Sequence, residues 1–218
     1  MDGTRLVVEV WSDIMCPFCF LGKHRFASAL NRFSQRDAVD VIWRSFQLDP
    51  DLRTDSTISV NEYLARVKGI EIADAKRMND QLTRVGAQEG LEYNFDRAIP
   101  ANSFDAHRLL HLARDEDRQG QTMERLFTAY FSEGRNIADA DVLTDIGHDA
   151  GLDPAIVAAM LASSRYADEV RADIREAAQL GINGVPFFVF DRKYALSGAQ
   201  SPSVFLQALE QSYSSVEA

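Results

Sequence analysis

Cysteine is nearly absent from this chain: its 218 residues hold two, Cys16 and Cys19. A framework of structural disulfides is therefore excluded, and both thiols fall within one tetrapeptide. Basic residues are also scarce. Lys and Arg number 23 against 33 Asp and Glu, a formal net charge of −10. That balance argues against a nucleic-acid partner, because such binding rests on cations that neutralise phosphates. No run approaches the ~18 uncharged apolar residues of a membrane helix, so no membrane partner is expected. The start, Met1-Asp2-Gly3-Thr4-Arg5, has neither a basic head nor a long apolar core. No secretory leader is expected there, and a cytoplasmic location is the simplest reading. What remains is an ordinary globular composition, 46% hydrophobic and 26% charged, long enough for one core and a sizeable insertion.

The order of segments is informative. Leu6 to Trp11 is a short apolar, β-branched run and reads as a buried strand. Pro17 stands where a helix would begin, and Phe18, Leu21, Phe26, Ala29, Leu30 and Phe33 follow at helical spacing. Val39 to Phe46 reads as a second strand, so the first fifty residues predict β-α-β and a parallel pair. From Val60 to about Gln179 the apolar positions keep helical spacing, with breaks at Gly90, Ile99-Pro100, Gly134 and Gly151. Strand character returns at Pro186–Phe190, and Tyr194–Gly198 pairs back as a hairpin. Ser201-Pro202-Ser203 opens a last helix, with a frayed tail expected from Ser212.

Cys16-Pro17-Phe18-Cys19 is the most informative tetrapeptide. A cysteine just before a first helical turn faces unpaired backbone N–H groups and the positive end of the helix dipole, which favour thiolate over thiol. A second cysteine one turn along lies close enough to attack the mixed disulfide that the first one forms. Two other readings remain at this point. The pair is either two small buried hydrophobes, or half of a zinc site completed by His107 and His111, spaced four apart on a helix. The apolar helix that follows Cys19 directly, and the lack of a Glu between the two histidines, speak against a metal. The second marker is Gly181-Ile182-Asn183-Gly184-Val185-Pro186, immediately before the Phe187–Phe190 strand. A proline opening a strand in such a segment is where a cis X–Pro bond is expected.

With both markers in place, the chain resembles the DsbA-like branch of the thioredoxin superfamily. It is nearest to the cytoplasmic FrnE-like members, which are similar to the 2-hydroxychromene-2-carboxylate isomerases and kappa-class glutathione transferases. The likeness rests on residues 8–19 (VEVWSDIMCPFC), 102–109 (NSFDAHRL) and 184–188 (GVPFF). It implies an α/β thioredoxin-like domain, residues 1–58 and 180–218, interrupted by an all-α helical insertion over 59–179. It implies further that Cys16 is the nucleophile, Cys19 the resolving cysteine, and Val185-Pro186 a cis-proline loop facing the sulfurs. The activity implied is thiol–disulfide exchange, as a cytoplasmic reductase or disulfide isomerase. The partner implied is a disulfide-containing protein or a small thiol. No tightly bound cofactor is expected, with glutathione as a possible co-substrate. A glutathione-dependent isomerase or transferase and a non-enzymatic peptide-binding module are the alternatives. The isomerases and kappa-class enzymes carry serine at the first cysteine position, and here it is Cys16, which favours disulfide chemistry. Some FrnE-like proteins have a second cysteine pair, and this chain has none.

Several other side chains are candidates. Pro17, Phe18 and Val185 flank the sulfurs and are expected to contact substrate; Met15, Phe20 and Phe187 either join such an apolar surface or pack in the core. By resemblance, the helix of His107 and Arg108 lines the cleft, where Arg108 would hold a carboxylate of glutathione or a peptide. A buried carboxylate at Glu9 or Asp13 is a candidate proton acceptor for Cys19; capping of the first helix is the expected role of Asp13, and that of Glu9 stays open.

Overall fold

The structure, a computed structural model, describes residues 5–217, with side chains described through 215. The reading of Met1–Thr4 lies outside the described residues. In chain order the elements are β1 (Leu6–Ser12), α1 (Pro17–Arg32), β2 (Val39–Ser45), α2 (Val60–Lys68), α3 (Ile72–Gln88), α4 (Phe104–Asp115), α5 (Gln119–Phe127), α6 (Ala140–Asp149), α7 (Pro154–Leu161), α8 (Ala167–Gln179), β3 (Phe187–Phe190), β4 (Tyr194–Ser197) and α9 (Pro202–Glu217). The described residues through 46, with those from 170 on, make one compact unit, and residues 47–169 make a second, all-helical one. The expected boundaries stood further out along the chain, at 58/59 and 179/180. Packing shifts both. Trp11 Nε1 donates to the Asp173 carbonyl of α8 at 3.1 Å, and Ala177 packs on the same ring, so α8 goes with the sheet. Gln47 donates to Asn102 at 3.0 Å and goes with the helices.

The sheet of the first unit has the order β2-β1-β3-β4. β1 and β2 run parallel, as the β-α-β reading requires, while β3 pairs antiparallel with β1 and β4 antiparallel with β3. Alternation along the strands sends side chains to two faces. Val8 and Val10 of β1 share a face with Phe188 and Phe190 of β3, and all four are fully buried. Phe26 of α1 and Phe205 of α9 close that face; the Phe26–Phe188 and Phe188–Phe205 ring centroids lie 5.3 and 4.6 Å apart. The opposite face divides. At one end Trp11, Ala177 and Ile182 pack with Phe46, Val185, Phe187 and Val189. At the other end it is charged, around Glu9. The tail expected to fray from Ser212 instead continues α9 to Glu217. Ser212 is buried and the Tyr213 ring lies 5.7 Å from Phe33, because this helix still has an apolar stripe to bury.

In the helical unit, Ser59 and Glu62 form a reciprocal capping box at the start of α2, and Asp139 and Asp153 cap α6 and α7. α4 is buried along Ala106–Ala113. Among the described residues no helix is long and apolar enough to cross a membrane.

Candidate active site

The site starts in the turn between β1 and α1. The Cys16 N–H donates to the Asp13 carbonyl at 3.1 Å, and the Cys16 carbonyl accepts the Cys19 and Phe20 N–H groups at 2.9 and 3.3 Å. Cys16 is thus the capping residue of α1, with Pro17 at its first turn. The proline suits that position because its missing N–H would have had no helical partner. Cys16 therefore takes the place expected for Asp13. The Asp13 carboxylate accepts the Met15 N–H at 3.4 Å within the turn and is itself buried.

The chain closes over the pair from a distant segment. The Val185–Pro186 bond is cis, as the motif led us to expect, and the Cys16 Sγ–H donates to the Val185 carbonyl at 3.5 Å. The Pro186 carbonyl accepts the Gly198 N–H at 2.8 Å, which ties the Val185–Pro186 loop to the segment after β4. Both cysteines are free thiols. Cys19 is fully buried, and Cys16 is 4% exposed. Burial pushes the Cys19 thiol well above its ordinary range and the adjacent Cys16 sulfur adds to this, while the Asp13 backbone and the Ser12 hydroxyl act in the opposite sense. Phe18 is 53% exposed beside Cys16, whereas Phe20 is a core residue. The apolar surface expected around the motif is thus Phe18 with half-buried Pro17 and Val185, and Phe20 drops out of it.

Glu9 is not a free base. Both of its oxygens are held: Arg192 donates from Nε at 2.6 Å and from a terminal nitrogen at 2.7 Å, and Arg44 donates from Nε at 3.0 Å and a terminal nitrogen at 2.5 Å. Burial raises the carboxyl, but the hydrogen bonds of Arg192 and Arg44 outweigh it and leave it below the usual carboxylate range. Arg44 also pairs with Asp173, and Arg192 with Glu176, so Glu9 is the centre of a charged clamp across β1, β2, α8 and the β3–β4 turn.

His107 and Arg108 lie in the helical unit, and neither is presented to a ligand. His107 is fully buried. The Arg108 guanidinium donates to the carbonyls of Arg165, Met160 and Ser163 and to Asp105, at 2.6–2.9 Å. Those bonds engage its donors inside the unit, which corrects the expectation that it grips a substrate carboxylate. Among the described residues, no three His, Cys, Asp or Glu side chains are grouped to hold a metal ion. Two residues of the site were not singled out in the sequence. Ser12 gives no signal beyond its place before Asp13. Gly22 gives one that was legible, a glycine inside an amphipathic helix one turn past Cys19.

Known proteins share this fold. Over 96% of this chain and 91% of the other, a probable DsbA oxidoreductase from Streptomyces coelicolor superposes with a TM-score of 0.89 at 43% identity. The uncharacterised protein YwbO of Bacillus subtilis strain 168 is 29% identical over 204 residues, 93% of this chain and 94% of that one. The cytosolic disulfide reductase DsbM from Pseudomonas aeruginosa, solved with GSH, shares the fold at 20% identity and a TM-score of 0.66, over 94% of this chain and 98% of that one. The DSBA-like thioredoxin domain matches residues 7–210, and the chain belongs to that family.

Proposed function

We propose that this protein is a cytoplasmic thiol–disulfide oxidoreductase that reduces or rearranges protein disulfides, with Cys16 as nucleophile and Cys19 as resolving thiol. The observation that carries this reading is the cysteine at the start of α1 whose sulfur touches the Val185 carbonyl, with a buried second thiol one turn further on.

The chemistry follows from these positions. The Cys16 thiolate attacks one sulfur of a substrate disulfide; the substrate S–S bond breaks, and the departing thiolate takes up a proton. Once Cys16 has lost its S–H, the Val185 carbonyl has lost its donor and is free to accept a backbone N–H of the bound chain, in the manner of strand addition. Cys19 then gives up its proton and attacks the Cys16 sulfur, and the second substrate thiolate leaves and is protonated. The substrate has gained two electrons and the protein has become the Cys16–Cys19 disulfide. External thiols such as glutathione, or a thioredoxin-type partner, return it to the dithiol, since the chain has no second cysteine pair. In a compartment poised near about −220 mV or below, that supply favours reduction and isomerisation over net oxidation. The absence of any cysteine outside the redox pair supports a thiol-reducing compartment. A glutathione-dependent isomerase reading loses its proposed carboxylate anchor with Arg108.

The test is insulin reduction driven by glutathione, read by turbidity. The wild-type protein should accelerate it and Cys16→Ser should not; a wild-type rate equal to glutathione alone would sink the proposal. A second expectation concerns Ser12. Its fully buried hydroxyl has no hydrogen-bond partner among the described residues and favours the charged form of Cys19. Ser12→Ala should slow the resolving step roughly tenfold, the worth of one hydrogen bond to a charged sulfur. Alkylation of Cys16 should stay unchanged and Ser12→Thr should restore the rate. Equal single-turnover rates for wild type and Ser12→Ala would remove Ser12 from the reaction.

A further inference from the structure

Gly22 lies in α1, buried, one turn beyond Cys19. A Cβ placed on it would stand 2.9 Å from Pro186 Cγ, 3.5 Å from Pro186 Cβ and 3.6 Å from the Ala199 Cα. The first distance is one that Cβ atoms do not adopt, and the atom it meets belongs to a closed ring on a constrained backbone, which cannot swing aside. Arg25, three residues further along, donates to the Ala199 carbonyl at 2.7 Å. The Pro186 carbonyl accepts from Gly198. The face of α1 that follows the cysteine pair therefore receives two loops at once, Val185–Pro186 and Gly198–Ala199, and these are bonded to each other.

We infer that Gly22 is a positioning residue for thiol–disulfide exchange: the missing side chain is the seat of the Pro186 ring, and that seat sets how far the Val185 carbonyl stands from the Cys16 sulfur. Glycine is otherwise a poor choice here. It weakens a helix interior relative to alanine, and its backbone has ordinary helical angles, so no left-handed conformation demands it. Close approach is what calls for it. Gly120 in α5 shows the contrast, since nothing lies within 4 Å of a Cβ built there.

The inference rests on the function proposed above and acts through the docking edge rather than the sulfurs. With Gly22→Ala, the loop must move by some tenths of an ångström. Steady-state insulin reduction should then show KM raised roughly tenfold with kcat within about twofold. The control Gly120→Ala should match wild type. A melting cycle reads the contact apart from activity. Gly22→Ala should lower Tm by about 5 °C in the wild-type background and leave it unchanged or raise it in the Pro186→Ala background, where the atom at 2.9 Å is gone. The same double variant should recover folding if Gly22→Ala alone does not fold. An unchanged KM in a folded Gly22→Ala, or an equal Tm loss in both backgrounds, overturns the inference. A wild-type protein without activity would sink the proposed function instead, and the melting cycle would still decide whether Gly22 seats Pro186.

Discussion

Cys19→Ser should stall the reaction halfway, with Cys16 held in a mixed disulfide to substrate. The cause is the division of labour between two sulfurs one helical turn apart. Cys16 is the sulfur at the helix start, next to exposed Phe18 and against the Val185 carbonyl, and in the proposed reaction it meets the incoming disulfide. Cys19 is fully buried and its thiol is raised by that burial and by its neighbour, so it is protonated and inert until Cys16 has reacted. Forming the mixed disulfide removes the Cys16 contribution, while the Asp13 backbone and the Ser12 hydroxyl remain. Resolution is thereby delayed until there is something to resolve. A serine at 19 cannot attack, so release falls to external thiols, and turnover should drop at least ~100-fold. Covalent adducts should accumulate on non-reducing gels of cells carrying Cys19→Ser and be absent from the Cys16→Ser, Cys19→Ser double variant. Iodoacetamide at pH 7 with peptide mapping should label Cys16 well before Cys19. Equal adduct levels in the two variants, or first labelling at Cys19, would reverse the assignment.

The Glu9 clamp leads to the second large effect. Glu9 is a buried carboxylate whose charge is balanced by Arg44, which is itself largely buried, and by the more exposed Arg192. Removing Glu9 leaves Arg44 to Asp173 and Arg192 to Glu176 but strips four charge-assisted hydrogen bonds from the clamp, at a cost of about 3–5 kcal/mol. Glu9→Ala should lower Tm by about 10 °C for a chain of this length. The pH dependence follows from the direction of its shift. The folded carboxyl lies below its unfolded value of about 4.3. The stability it contributes is therefore fully present above that value, and it is lost as pH falls from there through the folded value. The stability difference between wild type and Glu9→Gln should hold constant from pH 6 to 8 and shrink below about pH 4.3. A difference that grows on acidification would contradict the clamp. Insulin reduction by Glu9→Gln at 25 °C should stay within about twofold of wild type, because the carboxylate is already engaged by Arg44 and Arg192.

Much of the path to these results was legible in the sequence, because it is local. The switch from the Leu6–Trp11 run to 3.6-residue spacing after Pro17 marked where β1 ends and α1 begins, and so put Cys16 on a helix start and Cys19 a turn inside. Ser201-Pro202 marked a helix start in the same way. The apolar runs of β1, β2 and β3 marked the strands of the sheet. In each case the signal is a backbone preference or a repeat that neighbours along the chain complete by themselves.

What only the tertiary structure decided involves partners far apart. Periodicity says that a side is buried, not against what. The Val185 carbonyl meets a sulfur 169 residues away. Glu9, a plausible base when read beside Cys16, became a clamp because Arg192, 183 residues on, and Arg44 reach it first. Arg108 looked like a ligand anchor until three carbonyls of 160–165 turned out to accept its donors. The same holds for α8, where helical spacing to about Gln179 placed it with the insertion and the Trp11 ring placed most of it with the sheet. Charges and hydrogen-bonding groups are assigned by which of them arrive together when the apolar faces close, and that outcome belongs to the packed chain and not to any one segment of it.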